Sequence, residues 1–364
     1  MPKKIRIASY NVENLFRRAK LLNLANSEKI REKLNAFAEL SATAEKPKYS
    51  AADKKVIEDR LKELKGYVTP NMYIGKLVNS KGKVTEKGKD DWLGTFDLVK
   101  QNFGEQTRKN TAWVIRQMNA DILCVIEAED RPALLRFGTD LLPSGGGFKR
   151  YPYCMLIDGN DTRGIDVGID SRFPIRGLRS NIYADNGRKS VFSRDCLEVE
   201  IDAGLKRPIH FLINHFKSKG YGKPATSDAR RKSQATAVAQ ILRSRYDLRD
   251  DYVVVAGDLN DTPDSEPLAP LTGLKNLSDV LDLSFGRDMD RRWTYAYGNQ
   301  LNQIDFVMVS DPMKAGFKGA AVERRGMWAI DKYGTEGAKR YDKITRKAES
   351  ASDHGGVYAD FSLT

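Results

Sequence analysis

Short apolar runs, each closed by a polar turn, recur along the whole chain and restrict its fold more than any other feature. Ile5–Tyr10, Ile122–Ile126, Tyr153–Ile157, Cys196–Ile201, Ile209–Asn214, Tyr252–Ala256, Gln303–Val309 and Gly356–Phe361 are of this kind, and several are dense in Val and Ile. Runs this short and this β-branched suit buried strands rather than helices. Two segments carry apolar side chains at helical spacing instead: Gly104–Met118, with Trp113, Ile115 and Met118, and Ser227–Ser244, with Val238, Ile241 and Leu242. Strands and helices mix without strict alternation, which predicts two packed sheets with helices outside.

Residues 17–100 interrupt this pattern. They are rich in Lys and Glu, with a predicted helix at Asp53–Lys65 and a polar, Gly-containing stretch at Asn79–Asp90. They read as one basic insertion, at about 17–100, between the first strand and first helix of a single domain spanning 1–364. Such an insertion serves either as a solvated helical excursion or as a lid or basic surface facing substrate. Ser144–Gly147 reads as a flexible loop.

The bulk properties narrow the function classes. No apolar run approaches the ~20 residues of a membrane span. Met-Pro-Lys-Lys leads straight into the first strand without an apolar leader, so the expectation is a cytoplasmic monomer; a secreted protein stripped of its leader would read the same. Cys124, Cys154 and Cys196 are odd in number, scattered and set in apolar segments. That argues against a disulfide framework or a zinc cluster and for small buried hydrophobes. With 61 Lys and Arg against 49 Asp and Glu, the net charge is +12. A basic surface concentrates polyanions. Nucleic acid fits best as partner; anionic lipid and phosphorylated sugars also fit.

Phosphodiester hydrolysis requires phosphate charge to be neutralised, water to be activated and the departing oxygen to be helped. Hard cations held by carboxylates and amides, ionised Asp and His, and protonated His supply these. Such residues stand just past the apolar runs: Asn11 and Glu13 after the first, Glu127 after Ile122–Ile126, Asn214-His215 after the strand at 209, Gly257-Asp258-Leu-Asn260-Asp261 after Tyr252–Ala256, and Ser352-Asp353-His354 before the last strand. Alone, Gly-Asp-x-Asn reads as a turn with Asx capping. Five polar strand ends holding two of the three histidines read as one active face. His210, in mid-strand, reads as packing.

The ordered series Asn11-Val-Glu13-Asn-Leu-Phe, Asp121-Ile-Leu-Cys-Val-Ile-Glu127, Asn214-His215-Phe-Lys-Ser-Lys, Gly257-Asp258-Leu-Asn260-Asp261-Thr-Pro, Gln303-Ile-Asp305-Phe-Val and Ser352-Asp353-His354 resembles the endonuclease/exonuclease/phosphatase superfamily of pancreatic deoxyribonuclease, exonuclease III-like enzymes and inositol phosphatases. The wording is nearest to bacterial members, and the match spans the chain apart from 17–100. The resemblance implies an α/β fold, a four-layer α/β sandwich with two central mixed β-sheets flanked by helices. It implies a Mg²⁺- or Mn²⁺-dependent hydrolase with Glu127 on the metal, Asn11 beside it, Glu13 assisting, and a second metal possible at Asp258. Asp258 is expected to activate the attacking water and Asn260 to hold the scissile phosphate. His354, oriented by Asp305, is expected to contact that phosphate; Asp353 belongs to the metal or water network. His215 is the expected acid near the leaving group, with Asp166 supporting it.

The same resemblance suggests DNA contacts at Arg194, in Phe192-Ser-Arg194, and at Arg163. From the residues themselves, Trp293 and Tyr295 form a pair able to stack on a sugar or base. Lys217, Lys219, Arg230 and Arg231 are candidate phosphate contacts, the last two near a predicted helix N-terminus. Two departures from the apurinic-site enzymes, Glu127-Ala-Glu129 for their Gln-Glu-Thr-Lys run and Ile304-Asp305-Phe306 for their Leu-Asp-Tyr, speak against abasic-site specificity. The leading expectation is a DNA endonuclease with little sequence preference. The alternatives are a phosphatase or phosphodiesterase on a phospholipid, inositol phosphate or nucleotide, and a binding module without catalysis.

Overall fold

The structure is a computed structural model. It describes residues 2–15, 17–23, 27–102, 105–161, 164–185, 187, 190–219, 224–297, 299–333 and 338–364. The chain divides into two compact units, Met1–Phe16 with Gly104–Thr364, and Arg17–Phe103.

Two six-stranded mixed sheets build the larger unit. In the first, the spatial order is Phe317–Glu323, Gly356–Leu363, Lys3–Leu15, Ile122–Ala128, Asp166–Ser171 and Tyr153–Leu156. In the second it is Leu277–Asp279, Asp305–Ser310, Tyr252–Asp258, Ile209–His215, Cys196–Ile201 and Ile175–Arg179. Each sheet has one parallel pair near its centre: Lys3–Leu15 with Ile122–Ala128, and Ile209–His215 with Tyr252–Asp258. The remaining pairs are antiparallel.

Strand alternation sorts the side chains into layers. Ile5, Ile7, Ile122, Cys124, Ile126, Phe211, Ile213, Val254, Ala256, Val307 and Val309 point between the sheets and form one buried core. Opposite-facing Leu123 and Val125 pack with Val114, Ile115 and Met118 of helix Glu105–Met118, and with Leu134 and Phe137 of helix Arg131–Leu141. On the other side Leu212, Val253, Val255, Phe306 and Met308 meet Ala235, Val238, Ala239 and Leu242 of helix Pro224–Arg245. Runs that read as continuously apolar are therefore covered on both faces, and each buried aliphatic contributes about 1.5–3 kcal/mol relative to exposure. The layers stack helix, sheet, sheet, helix, which is the expected sandwich. The helices expected at Gly104–Met118 and Ser227–Ser244 are present with slightly different ends.

The Arg17–Phe103 unit has its own core. Leu40, Ile57, Leu64, Leu77, Trp92 and Phe96 are buried together beneath helices Ser27–Ala44 and Ala51–Glu63 and the antiparallel pair Val68–Ile74 and Leu93–Leu98. Helix Ala51–Glu63 starts on a capping box: the Ser50 hydroxyl accepts from the Asp53 backbone N–H, and the Asp53 carboxylate accepts from the Ser50 N–H. Such a cap stabilises by about 1 kcal/mol. Polar on average, this stretch is folded around a few large apolar side chains.

Candidate active site at the strand ends

Strand register assembles the site. His215 lies opposite Asp258, and Asp258 opposite Asp305. Three residues distant in sequence thus stand side by side at the ends of adjacent strands. In the other parallel pair, Asn11 stands opposite Ile126, and Glu127 follows where the register shifts. The last strand begins at Gly356, which delivers His354 to the same end.

Hydrogen bonds lock the cluster. His354 Nδ1 is 2.8 Å from Asp305 Oδ2, and both side chains are buried. That leaves Nε2 facing Asp353 Oδ1 at 3.7 Å and Asp258 Oδ2 at 4.0 Å. Asn11 Nδ2 donates to Asp258 Oδ2 (3.1 Å) and to Glu127 Oε1 (3.3 Å), bridging the two sheets. His215 Nε2 sits 3.6 Å from Asp258 Oδ2 and 3.7 Å from Glu127 Oε1. Asn260 donates its backbone N–H to Asp258 Oδ1 (2.8 Å) and its amide to Asp258 Oδ2 and the Phe216 carbonyl (3.1 Å each). The Glu13 N–H donates to Asn11 Oδ1.

Backbone strain collects here. Glu13 (φ 46°), Glu127 (φ 71°) and Asn260 (φ 54°) hold left-handed conformations that cost a non-glycine residue about 1–3 kcal/mol. Gly257, at φ 134°, has no such choice: a Cβ there would lie 1.9 Å from the Asn214 carbonyl oxygen. The Gly before Asp258 is required for the two parallel strands to approach.

Electrostatics follow from burial in an acidic cluster. Burial pushes Asp258 up to about 7, and the charges of Asp305 and Glu127 add to it against His354. Burial likewise carries Glu13 up to about 7, with Asp353 adding, and raises Glu127. For His354, burial disfavours the imidazolium, but Asp305, Asp353 and Asp258 together outweigh it and hold the ring well above its ordinary range.

Support comes from residues the sequence did not single out. The Thr294 hydroxyl accepts the N–H groups of Ile304 and Asp305, each at 3.1 Å. Ser352 Oγ donates to the Asn11 carbonyl (2.7 Å) and accepts the His354 N–H (3.0 Å). Both lie within or beside quoted motifs, yet a hydroxyl's partner on a distant strand leaves no local signal.

Three expected DNA contacts need correction. Arg194 is 3% exposed; Asp161 (3.0 Å) and the Phe216 carbonyl (3.1 Å) engage its guanidinium. It therefore sits beneath the Asn260 turn rather than on the surface. Trp293 is fully buried and covered by the Arg324 guanidinium, 4.6 Å from the ring, so no base can reach it. Arg231 is also fully buried, paired with Asp261 and Asp228. Tyr295 is half-buried with its ring 5.0 Å from that of His354. Lys219 is exposed and pairs with Asp261, Lys217 Nζ donates to the Ser218 carbonyl, and Arg230 is half-buried. Asp166 is buried on its strand, where Oδ1 accepts the Gly159 N–H at 2.9 Å. Arg163 lies outside the described residues.

A model of the Endonuclease/Exonuclease/phosphatase family matches residues 104–354. The chain belongs to this family. Among solved structures, a family protein from Bacteroides thetaiotaomicron is similar across 100% of this chain and 96% of its own, at 14% identity and a TM-score of 0.50, a likeness of fold. Truncated Caenorhabditis elegans TDP2 (17% identity, 71% and 91% of the two chains, TM-score 0.49) and an endonuclease/exonuclease/phosphatase from Beutenbergia cavernae (18%, 70% and 66%, 0.48) are also similar. No curated protein matches at the level of sequence.

Like other members of the family, this chain is a hydrolase of phosphodiester bonds, and the family's dependence on a divalent metal matches its carboxylate and histidine cluster. Its donor set fits a hard cation: the carboxylates of Glu127, Glu13 and Asp353 and the side-chain amide of Asn11 offer oxygens at the strand ends. Among the described residues, ligand atoms of Asp258, Asp305 and His354 come within 4.8 Å of one another. Buried Asp305 Oδ1 accepts no hydrogen bond from the described residues. No helix among the described residues is long and apolar enough to cross a membrane.

Proposed function

We propose that this phosphodiesterase cleaves the nucleic-acid backbone, with DNA as substrate and little sequence preference. The observation that carries the proposal is the alignment of His215, Asp258 and Asp305 on adjacent strands, with His354 held on Asp305 and Asn11 joining Asp258 to Glu127. The net charge of +12 supports a polyanionic substrate, since cationic surface raises both affinity and capture rate for nucleic acid.

The residues divide the work by position. Asp305 fixes the His354 ring through Nδ1, so Nε2 is the atom offered to the scissile phosphate. Asp258, held on both oxygens by Asn260 and on one by Asn11, takes the proton of the attacking water. The Asn260 amide orients the phosphate. His215 Nε2 gives the proton to the departing oxygen. Glu127 and Asn11, with Glu13 and Asp353 nearby, would hold Mg²⁺ or Mn²⁺. A bound divalent cation neutralises phosphate charge and stabilises the crowded transition state.

The test is a substrate panel: supercoiled plasmid, linear duplex, single strands, abasic duplex and a chromogenic phosphodiester. The expected result is nicking of plasmid with Mg²⁺ or Mn²⁺ and none in EDTA. Turnover of small phosphoesters with every nucleic acid intact refutes the nuclease reading and favours a phosphatase or small-molecule phosphodiesterase.

A further inference from the structure

Tyr297 takes no part in the site described above, yet the fold aligns it with that site. It ends the short strand Tyr295–Tyr297, which pairs with Gln300–Asn302. Residues two apart on a strand share a face, so Tyr295 and Tyr297 lie on one side of this hairpin. The inner member is pinned: Tyr295 forms a β-bridge with His354, and the rings stand 5.0 Å apart at 38°. The neighbouring Gly355 N–H donates to the Thr294 carbonyl at 2.7 Å. The outer member is 70% exposed. His354, Tyr295 and Tyr297 therefore form an aromatic row running from the reacting phosphate's position out to solvent. Two residues of strand advance about 6.6 Å, comparable with one nucleotide step of an extended strand.

A cation stands at the hairpin's outer end. Exposed Lys332 donates to Asn299 Oδ1 at 3.0 Å, and Tyr333 Oη lies 3.4 Å from the same atom. Lys332 Nζ also lies over the Tyr333 ring, 4.7 Å from its centre, so an exposed aromatic ring and a lysine share this turn, and single-stranded nucleic acid is bound by such groups, a ring stacking on a base and an ammonium meeting a phosphate. Within a duplex each base face is already covered by its neighbours, so the ring finds a partner only where the strand is unpaired.

Resting on the nuclease reading, we infer that Tyr297, with Lys332, is a stacking platform for an unpaired nucleotide next to the scissile phosphate, and that the enzyme therefore prefers single-stranded or frayed substrate over closed duplex. The experiment compares KM and kcat of wild type, Tyr297→Ala and Tyr297→Phe on a single-stranded oligonucleotide and on the same sequence as a blunt duplex, with melting curves to confirm folding. Loss of one base stack predicts that Tyr297→Ala raises KM on the single strand roughly 5- to 150-fold, lowers kcat little and reduces the preference for single strand over duplex. Tyr297→Phe should keep the wild-type preference. Unchanged single-strand KM in folded Tyr297→Ala, or an equal rise on both substrates, overturns the inference and leaves the nuclease reading standing. Wild type that cleaves neither oligonucleotide but hydrolyses a small phosphodiester overturns both.

Discussion

Replacing Asp170 by Asn should change the pH dependence of stability while leaving the strand-end site in place. Asp170 lies on strand Asp166–Ser171, opposite Leu123 and Cys154, on the helix-facing side of its sheet. It is almost fully buried. Burial pushes its carboxyl up to about 7 from 3.8, with only the Cys154 thiol acting against this. The folded state thus holds a proton that the unfolded chain releases near pH 4. Its contribution to stability is fully present below that point and is lost as pH rises to about 7. The loss runs at about 1.4 kcal/mol per pH unit, so between pH 5 and pH 8 wild type should lose about 3 kcal/mol more than Asp170→Asn. At roughly 2.1 cal/mol/K per residue of unfolding entropy, that equals a change of about 4 °C in the difference between their melting temperatures. The Asn amide brings a donor with no obvious acceptor and costs about 1 kcal/mol at every pH. The variant should melt lower at acid pH and gain on wild type as pH rises. Melting curves taken across this range decide it. A constant offset between the two proteins would refute the reasoning, since it would mean that Asp170 titrates alike in the folded and unfolded states.

Other perturbations act on the site. Asp305→Asn removes the charge-assisted bond to His354 and should lower kcat about 10²–10⁴-fold with an unchanged circular dichroism spectrum. Thr294→Val leaves the buried Ile304 and Asp305 N–H groups without their acceptor; it should cost about 1–3 kcal/mol in a denaturation assay and lower kcat as well. Arg231→Met takes the buried guanidinium from Asp261, which keeps the exposed Lys219 as its cationic partner, and should cost about 1–3 kcal/mol, seen as a lower melting temperature.

The frame of the site was legible because strand periodicity and residue chemistry agree. A run such as Tyr252–Ala256 can hardly be anything but a buried strand, and its polar ending, Gly257-Asp258-Leu-Asn260, then has to emerge at a sheet edge. That His354 lies on Asp305 came from the family pattern; Asp305 opens its strand and His354 stands two residues before Gly356–Leu363 in the other sheet, a meeting that no local signal announces. Burial of long side chains was not legible. Arg194 and Trp293 read as surface contacts because the groups that enclose them, Asp161, the Phe216 carbonyl and Arg324, lie far away in sequence. The core of Arg17–Phe103 was hidden for a related reason: Leu40, Ile57, Trp92 and Phe96 are sparse in a lysine-rich stretch and converge only when the helices and hairpin fold together.

Binding of Mn²⁺, followed by titration calorimetry on wild type, Glu127→Gln and Asp258→Asn, probes the strand-end cluster apart from any choice of substrate. A cluster built to hold a hard cation predicts saturable binding by wild type and affinity at least about 10-fold weaker in both folded variants. Equal affinity in all three proteins would contradict it, because the carboxylates gathered at the sheet ends would then be doing something other than holding the metal.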